Sequence, residues 1–263
     1  MSQFIDRLKQ ALQAVAPPMG FRAARAVSKP RMLLVASLPQ AGAGNQAGAG
    51  NLAELVAGAD AGLIPITKPD SGARVLKEMS QAVPSIPWGG WLDSTSREGI
   101  KRIRAAGGDF VVFPAAKMSL AILEKERVGK ILAVEALVDE GLLRTINELP
   151  ADAIFITGLG QGGPLTWHHL MLFRRFTDLL TKPVLVPVPV SIAASELQVL
   201  WEAGVDGVVV EVAPGQPAGR LKKLRQMIDG LTLPSKRKRM KTRALLPGVR
   251  GEASPVAEEE EEE

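Results

Sequence analysis

Eight times along this chain a short aliphatic run of strand length is followed by a loop and then, in most units, by a stretch with helical spacing of its apolar residues. The runs are Met32–Leu38, Ala61–Ile66, Trp88–Leu92, Asp109–Pro114, Lys130–Ala136, Asp152–Thr157, Pro183–Val188 and Asp206–Val212. Runs this continuously apolar are what strands look like when a parallel sheet is buried on both faces. Helical spacing recurs at Ser71–Gln81, Ser96–Ala106, Asp139–Glu148, Leu165–Leu180 and Ile192–Ala203, with shorter stretches at Leu52–Ala57 and Met118–Glu126. Glycines in AAGGDFVVF and EAGVDGVVV mark the helix ends that precede two of the strands.

Strands that alternate with helices must run parallel, because each crossover returns the chain to the same end of the sheet. Eight is also the number that closes such a sheet on itself. The expected fold class is therefore α/β, a single (β/α)8 TIM barrel over residues 31–230. An N-terminal amphipathic helix and lead-in occupy 1–30, and a disordered charged tail occupies 231–263. The rival is an open doubly wound sheet, which would place a glycine fingerprint after its first strand. Here that loop is PQAGAGNQAGAGN, Pro39–Asn51, with Gly42 and Gly44 but no third glycine and helix start at the required offset. It reads better as a lid-like or flexible loop.

Hydrophobic residues make up 46% of the chain while aromatics are 4% and Tyr is absent, so the core must be filled by Val, Leu, Ile and Ala. The absence of Cys excludes disulfides, thiolate metal sites and cysteine nucleophiles, and makes the cytoplasm the default location. No stretch approaches the roughly 20 apolar residues of a transmembrane segment. The first residues, MSQFIDRLKQALQAVA, put Phe4, Ile5, Leu8, Leu12 and Val15 on one helical face. Asp6 and the short apolar stretch argue against a secretion signal. The helix is expected to plug or flank the barrel, the alternative being a membrane-surface or partner-docking role. The net charge is +4, and the seven basic and seven acidic residues of 231–263 cancel, so the barrel itself carries it. In that tail KRKRMKTR precedes a run of glutamates. This is either a solvated extension whose ends attract each other or a weak anchor to RNA, acidic lipid or another acidic partner.

Chemistry in this fold gathers where strands end and the following loops begin. Lys68 and Asp70 follow the second strand, Asp93 the third and Lys117 the fourth. The fifth strand carries Glu135 and the eighth carries Glu211. Asp70 before Ser71, and Asp93 with Ser94, could equally cap the next helix. Glu135, within ILAVEAL, is a carboxylate in an apolar setting and needs the barrel mouth, a cation or a metal to be tolerated. The glycine-rich stretch after the sixth strand, Gly158, Gly160, Gln161 and Gly162, could bind an anion through backbone N–H groups, as could Ser191 and the loop 213–219. Pro187 and Pro189 remove donors from that neighbourhood. His168 and His169 fall inside a helix and read as structural or solvated.

The segment Ile131–Gly158, ILAVEALVDEGLLRTINELPADAIFITG, resembles the class II pyruvate aldolases and citrate-lyase-like barrels. There a strand ends in glutamate, a helix follows, and a Pro-Asp hinge leads to a strand ending in Gly. The resemblance implies that Glu135 ligates a divalent metal (Mg or Mn) that polarises a pyruvate enolate. The chain departs from that pattern at three places. No acid follows the sixth strand in Leu159–Gly162, no histidine follows the second in LIPITKPD, and no arginine follows the third in WGGWLDS. Lys68, Asp93 and Lys117 offer a different constellation, with Lys117 the first choice for a Schiff-base lysine made nucleophilic by desolvation. The expected activity is that of a carbon–carbon lyase acting on a small anionic metabolite, alone or as a homo-oligomer. The alternatives are a catalytically inactive binding or assembly barrel and a flavin- or phosphate-binding oxidoreductase. A fold does not choose among these.

Overall fold

In the computed structural model, residues 2–12, 32–39, 49–93, 97–120, 128–159, 163–213 and 219–232 are described. Eight parallel strands pair in chain order and close: β1 (Leu33–Ser37), β2 (Ala61–Ile66), β3 (Trp88–Leu92), β4 (Phe110–Pro114), β5 (Gly129–Glu135), β6 (Ala153–Thr157), β7 (Val184–Val188) and β8 (Gly207–Glu211). The closing pair runs from Leu33 opposite Gly207 to Ser37 opposite Glu211. Around the strands lie α2 (Ala49–Leu55), α3 (Pro69–Ala82), α4 (Arg97–Ala105), α5 (Glu140–Thr145, with a short 3-10 turn after it), α6 (Trp167–Leu179), α7 (Ala194–Glu202) and α8 (Arg220–Asp229). α8 lies outside the helical stretches read from apolar spacing. The expected helix at Met118–Glu126 falls from residue 121 onward outside the described residues, as do residues 40–48 of the first loop and the tail from 233. Among the described residues no helix is long and apolar enough to cross a membrane.

Alternation along each strand divides the apolar residues between two cores. Leu34, Ala36, Ile64, Val111, Leu132, Ile154, Val186 and Val210 face outward and pack under the helices. Leu33, Val35, Leu63, Val112, Ile131, Ala133, Phe155, Leu185 and Val209 face the lumen. Into the lower end of that lumen goes α1 (Gln3–Leu12), whose Phe4, Ile5 and Leu8 are buried there. The Phe4 and Phe110 rings lie 4.7 Å apart. The N-terminal helix is thus a plug, as one arm of the sequence expectation had it. Leu12 and Val15 lie beyond the side chains described. Room for the plug comes from Gly129, where a Cβ would sit 2.6 Å from Ile5 Cγ1 and 2.7 Å from Ser2 Oγ.

Four aspartates hold this lower end. Asp60, Asp109, Asp152 and Asp206 each stand immediately before an even-numbered strand. In three of them the backbone N–H donates to a carbonyl on the preceding odd strand or just inside it, and the carboxylate accepts the N–H of that same residue. Asp60 brackets Leu34 in this way (2.7 and 2.9 Å), Asp152 brackets Lys130 (2.7 and 2.9 Å), and Asp206 brackets Val184 (3.0 and 2.8 Å). Asp109 keeps the backbone half, its N–H reaching Trp88 O at 2.8 Å, but turns its carboxylate to α1. It accepts from Ser2 Oγ at 2.7 Å, Gln3 N at 2.7 Å and Phe4 N at 2.9 Å. A carboxylate on the first N–H groups of a helix satisfies donors that lack intrahelical partners and complements the helix dipole. Arg7 donates to Asp60 O at 3.1 Å and Lys9 approaches Asp152 at 3.6 Å, so the plug is also tied beside β2 and β6.

Candidate active site at the barrel mouth

The same alternation that buries Ile131 and Ala133 in the lumen places Glu135 on the lumen side one step higher, at the C-terminal mouth. Glu211 follows Val209 on β8 in the same way, Ser37 follows Val35 on β1, and Thr157 follows Phe155 on β6. Register then pairs them: Glu135 stands opposite Thr157, and Glu211 opposite Ser37. Each carboxylate therefore has a hydroxyl on the adjoining strand, on the same face of the sheet. Glu135 and Glu211 are exposed, while Ser37 and Thr157 are half-buried. Gly158, next along, has φ +75°, a left-handed conformation that favours glycine. A Cβ there would lie 3.8 Å from that of Glu135.

Beneath these groups two aromatic rings meet in the lumen. Trp91 on β3 packs against the inner core, its ring 5.7 Å from that of Phe155 in an edge-to-face arrangement (83°). Its indole N–H donates to Asp93 Oδ1 at 3.3 Å, which sets Asp93 above the same ring. Asp93 is exposed, and its capping role cannot be followed because Ser94–Ser96 lie outside the described residues. The mouth thus has an aromatic floor, two hydroxyls and three carboxylates. Ser37, Thr157 and Trp91 were missed in the sequence, although two-residue spacing from the lumen residues below would have found them.

The remaining expectations fare differently. Lys68 is the N-cap residue of α3, with extended backbone and Pro69 following, and its carbonyl accepts from Gly72 N at 2.9 Å. Asp70 is accordingly not the cap; it sits in the first turn and pairs with Arg102 of α4. Proline at the first helical position explains the shift, since its missing N–H costs nothing there. Lys117 is exposed in the turn after β4, its N–H 3.4 Å from Pro114 O, so no apolar pocket desolvates its ammonium group. Ser191 is exposed in the turn after β7. Gly160, Gln161 and Gly162 lie outside the described residues. His169 Nδ1 accepts the Thr166 N–H at 3.1 Å and its own N–H reaches Thr166 Oγ1 at 3.4 Å, a capping box at the start of α6.

The donor set does not fit the divalent metal implied for Glu135. Such an ion takes about six oxygen ligands, usually with more than one carboxylate among them. Among the described residues no three His, Asp or Glu side chains are grouped so as to hold one.

No protein-family model matches the chain, and no curated protein sequence matches it. Solved structures do. A tryptophan synthase alpha-subunit variant from the hyperthermophile Pyrococcus furiosus superposes with a TM-score of 0.61 at 15% identity, covering 76% of this chain and 98% of that one. Tryptophan synthase from Mycobacterium tuberculosis gives 0.60 at 17% identity, over 78% and 94%. A structure from Aquifex aeolicus VF5 gives 0.59 at 14% identity, over 88% and 96%. These neighbours support the (β/α)8 barrel, and the tryptophan synthase structures among them belong to a different barrel family from the class II aldolases. At such identities the likeness carries the fold alone.

Proposed function

We propose that this barrel is a small-molecule lyase that works by proton transfer at its C-terminal mouth, with Glu135 as the carboxylate that takes or returns the proton. The observation that carries this is the placement of Glu135 on the lumen face, at the end of β5, opposite the Thr157 hydroxyl. A carboxylate fixed on a strand end and open to the mouth can reach a C–H or O–H of a molecule seated over the aromatic floor. Positioned acid–base groups of this type contribute about 10²–10⁴-fold in rate. Glu211, beside Ser37, is the natural second group, since bond cleavage with proton abstraction on one side needs a proton donor on the other. A metal takes no part in this proposal because the described donors do not suit one. The Pyrococcus furiosus and Mycobacterium tuberculosis neighbours are tryptophan synthase, which is consistent with a lyase reading and does not supply a substrate.

The test is proton NMR of a mixed metabolite panel in D₂O with the full chain and with Glu135→Gln. Consumption or carbon-bound deuterium exchange of one component, absent in the variant, is expected. A folded protein that leaves every component unchanged would move the reading to a non-catalytic module. One observation favours that second reading: Leu137, Leu142, Trp167 and Met171 are 75%, 61%, 82% and 68% exposed on the loop after β5 and on α5 and α6. These elements adjoin, with Arg175 of α6 donating to Val138 O at 2.5 Å. Exposed apolar side chains gathered in one region mark contact surfaces more often than chance.

A further inference from the structure

We propose that two copies of this chain meet face to face through α5, α6 and the loop after β5. Trp167 and Met171 stand four residues apart on α6, hence on one side of it, and both are largely exposed. Arg175, a further turn along the same side, donates to Val138 O, which sets this edge of α6 against the loop that carries Leu137. Leu142 lies on α5, which packs beside α6. The four apolar side chains therefore form one surface rather than scattered exposures. Together they present on the order of 500 Å², since an aromatic side chain alone buries about 150–250 Å² when covered.

Area, charge and the placing of the other apolar groups make a second copy the occupant. A stable dimer covers about 800 Å² on each partner, about 65% of it apolar, which is close to what these side chains offer. Beside them Glu140 pairs with Arg144 at 2.6 Å and Arg174 with Asp178 at 3.0 Å, so both signs are present and matched. A partner chosen by charge finds no field of one sign there, whereas a two-fold contact can set each such pair against its own opposite end. The amphipathic helix that could have covered the face is already committed, with Phe4, Ile5 and Leu8 of α1 buried in the lumen. A head-to-tail contact would need a second apolar surface. The other exposed large apolar residues among those described, Leu120, Leu149 and Val199, stand on separate elements. Like faces meeting about a two-fold axis close the assembly at two. Leu137 follows Glu135 by two residues, so the contact begins at the edge of the mouth. It is independent of the reaction proposed above.

The experiment is sedimentation velocity of the full chain over a wide concentration range, at low and at high salt. Twice the chain mass is expected, and it should persist as salt rises because the contact is mainly apolar. Trp167→Lys and Met171→Lys should each weaken association about thirtyfold or more, as the loss of a central anchor does. Both positions are exposed, so circular dichroism and the unfolding midpoint of each variant should match those of the parent monomer. Val199→Lys, on α7, should leave the dimer unchanged. A single-chain mass at every concentration overturns the inference. Recovery of another protein from a cell extract by the parent, and not by Trp167→Lys, would then assign the face to that protein. A dimer indifferent to both α6 variants overturns the choice of surface. A dimer that falls apart at high salt assigns the association to the charged tail and overturns it equally.

Discussion

At the N-terminal end of the barrel, Asp60, Asp109, Asp152 and Asp206 each accept hydrogen bonds from named backbone N–H groups. At the C-terminal end, Glu135 and Glu211 stand exposed and make no ion pair with another described residue. The same strands connect the two sets. Carboxylates that accept several N–H bonds stabilise a fold because their partners would otherwise be unsatisfied on burial. Carboxylates left open to solvent contribute little to stability and remain available to a ligand. The division follows the rule that in this fold the lower face serves stability and the upper face serves chemistry.

The comparison breaks most sharply in activity and stability measured side by side. Glu135→Gln should lower turnover by about 10²–10⁴-fold. Its unfolding midpoint should stay within about 0.5 kcal/mol of the parent, because an exposed substitution removes no buried contact. A Tm drop of several degrees in that variant would mean Glu135 belongs to the scaffold. Asp60→Ala should do the reverse. Arg225 pairs with Asp60 at 2.7 Å and with Asp229 at 2.8 Å, its side chain 11% exposed, so the substitution removes the buried one of its two carboxylate partners. Leaving a buried charge wholly uncompensated costs about 3–5 kcal/mol, and Asp229 keeps the loss below that. Urea unfolding measures it, while the turnover that depends on Glu135 should not change.

Gly129→Val should cost about 1–3 kcal/mol by overpacking the space that Ile5 and Ser2 fill. Hydrogen exchange localises the effect: α1 amides should lose protection before those of β5 do. Asp109→Asn should be milder, about 0.5–2 kcal/mol, since a weaker cap remains. Loss of protection confined to Phe4 through Leu8 would confirm that its carboxylate serves the plug rather than β3. The smallest effect belongs to Lys9→Met. Its pair with Asp152 is 54% and 33% exposed, so at most about 1 kcal/mol is expected, and less at high salt.

How much of this was legible in the sequence depends on how far apart the deciding residues lie. Every strand could be read locally, because burial on both faces leaves an uninterrupted apolar run. The readings that began strands at Asp109, Asp152 and Asp206 were one residue early, and the error is informative. Those aspartates are not strand residues: Asp152 and Asp206 bracket the strand before them and Asp109 holds the plug, and the partners of their carboxylates lie 22 residues or more away in the chain. α8 escaped because RLKKLRQMID is dominated by charge, with Leu221, Leu224 and Ile228 alone marking its buried face. At the mouth, Glu135 and Glu211 were legible as acids within apolar runs. Lys117 was chosen by its distance along the chain, and the strand had already ended at Pro114. Trp91 and Phe155 meet across the lumen, and nothing local in either strand announces it.

The plug also has a consequence in time. Asp109 lies 107 residues after the Ser2 it binds, and Lys9 waits for Asp152. Synthesis proceeds toward the C-terminus at about 5–20 residues per second, so α1 is without its seat for several seconds on the ribosome. For that interval Phe4, Ile5 and Leu8 form an amphipathic segment with nothing to bury them. A molecule that holds such segments during synthesis would find an opportunity here, and would have to let go before the barrel could shut.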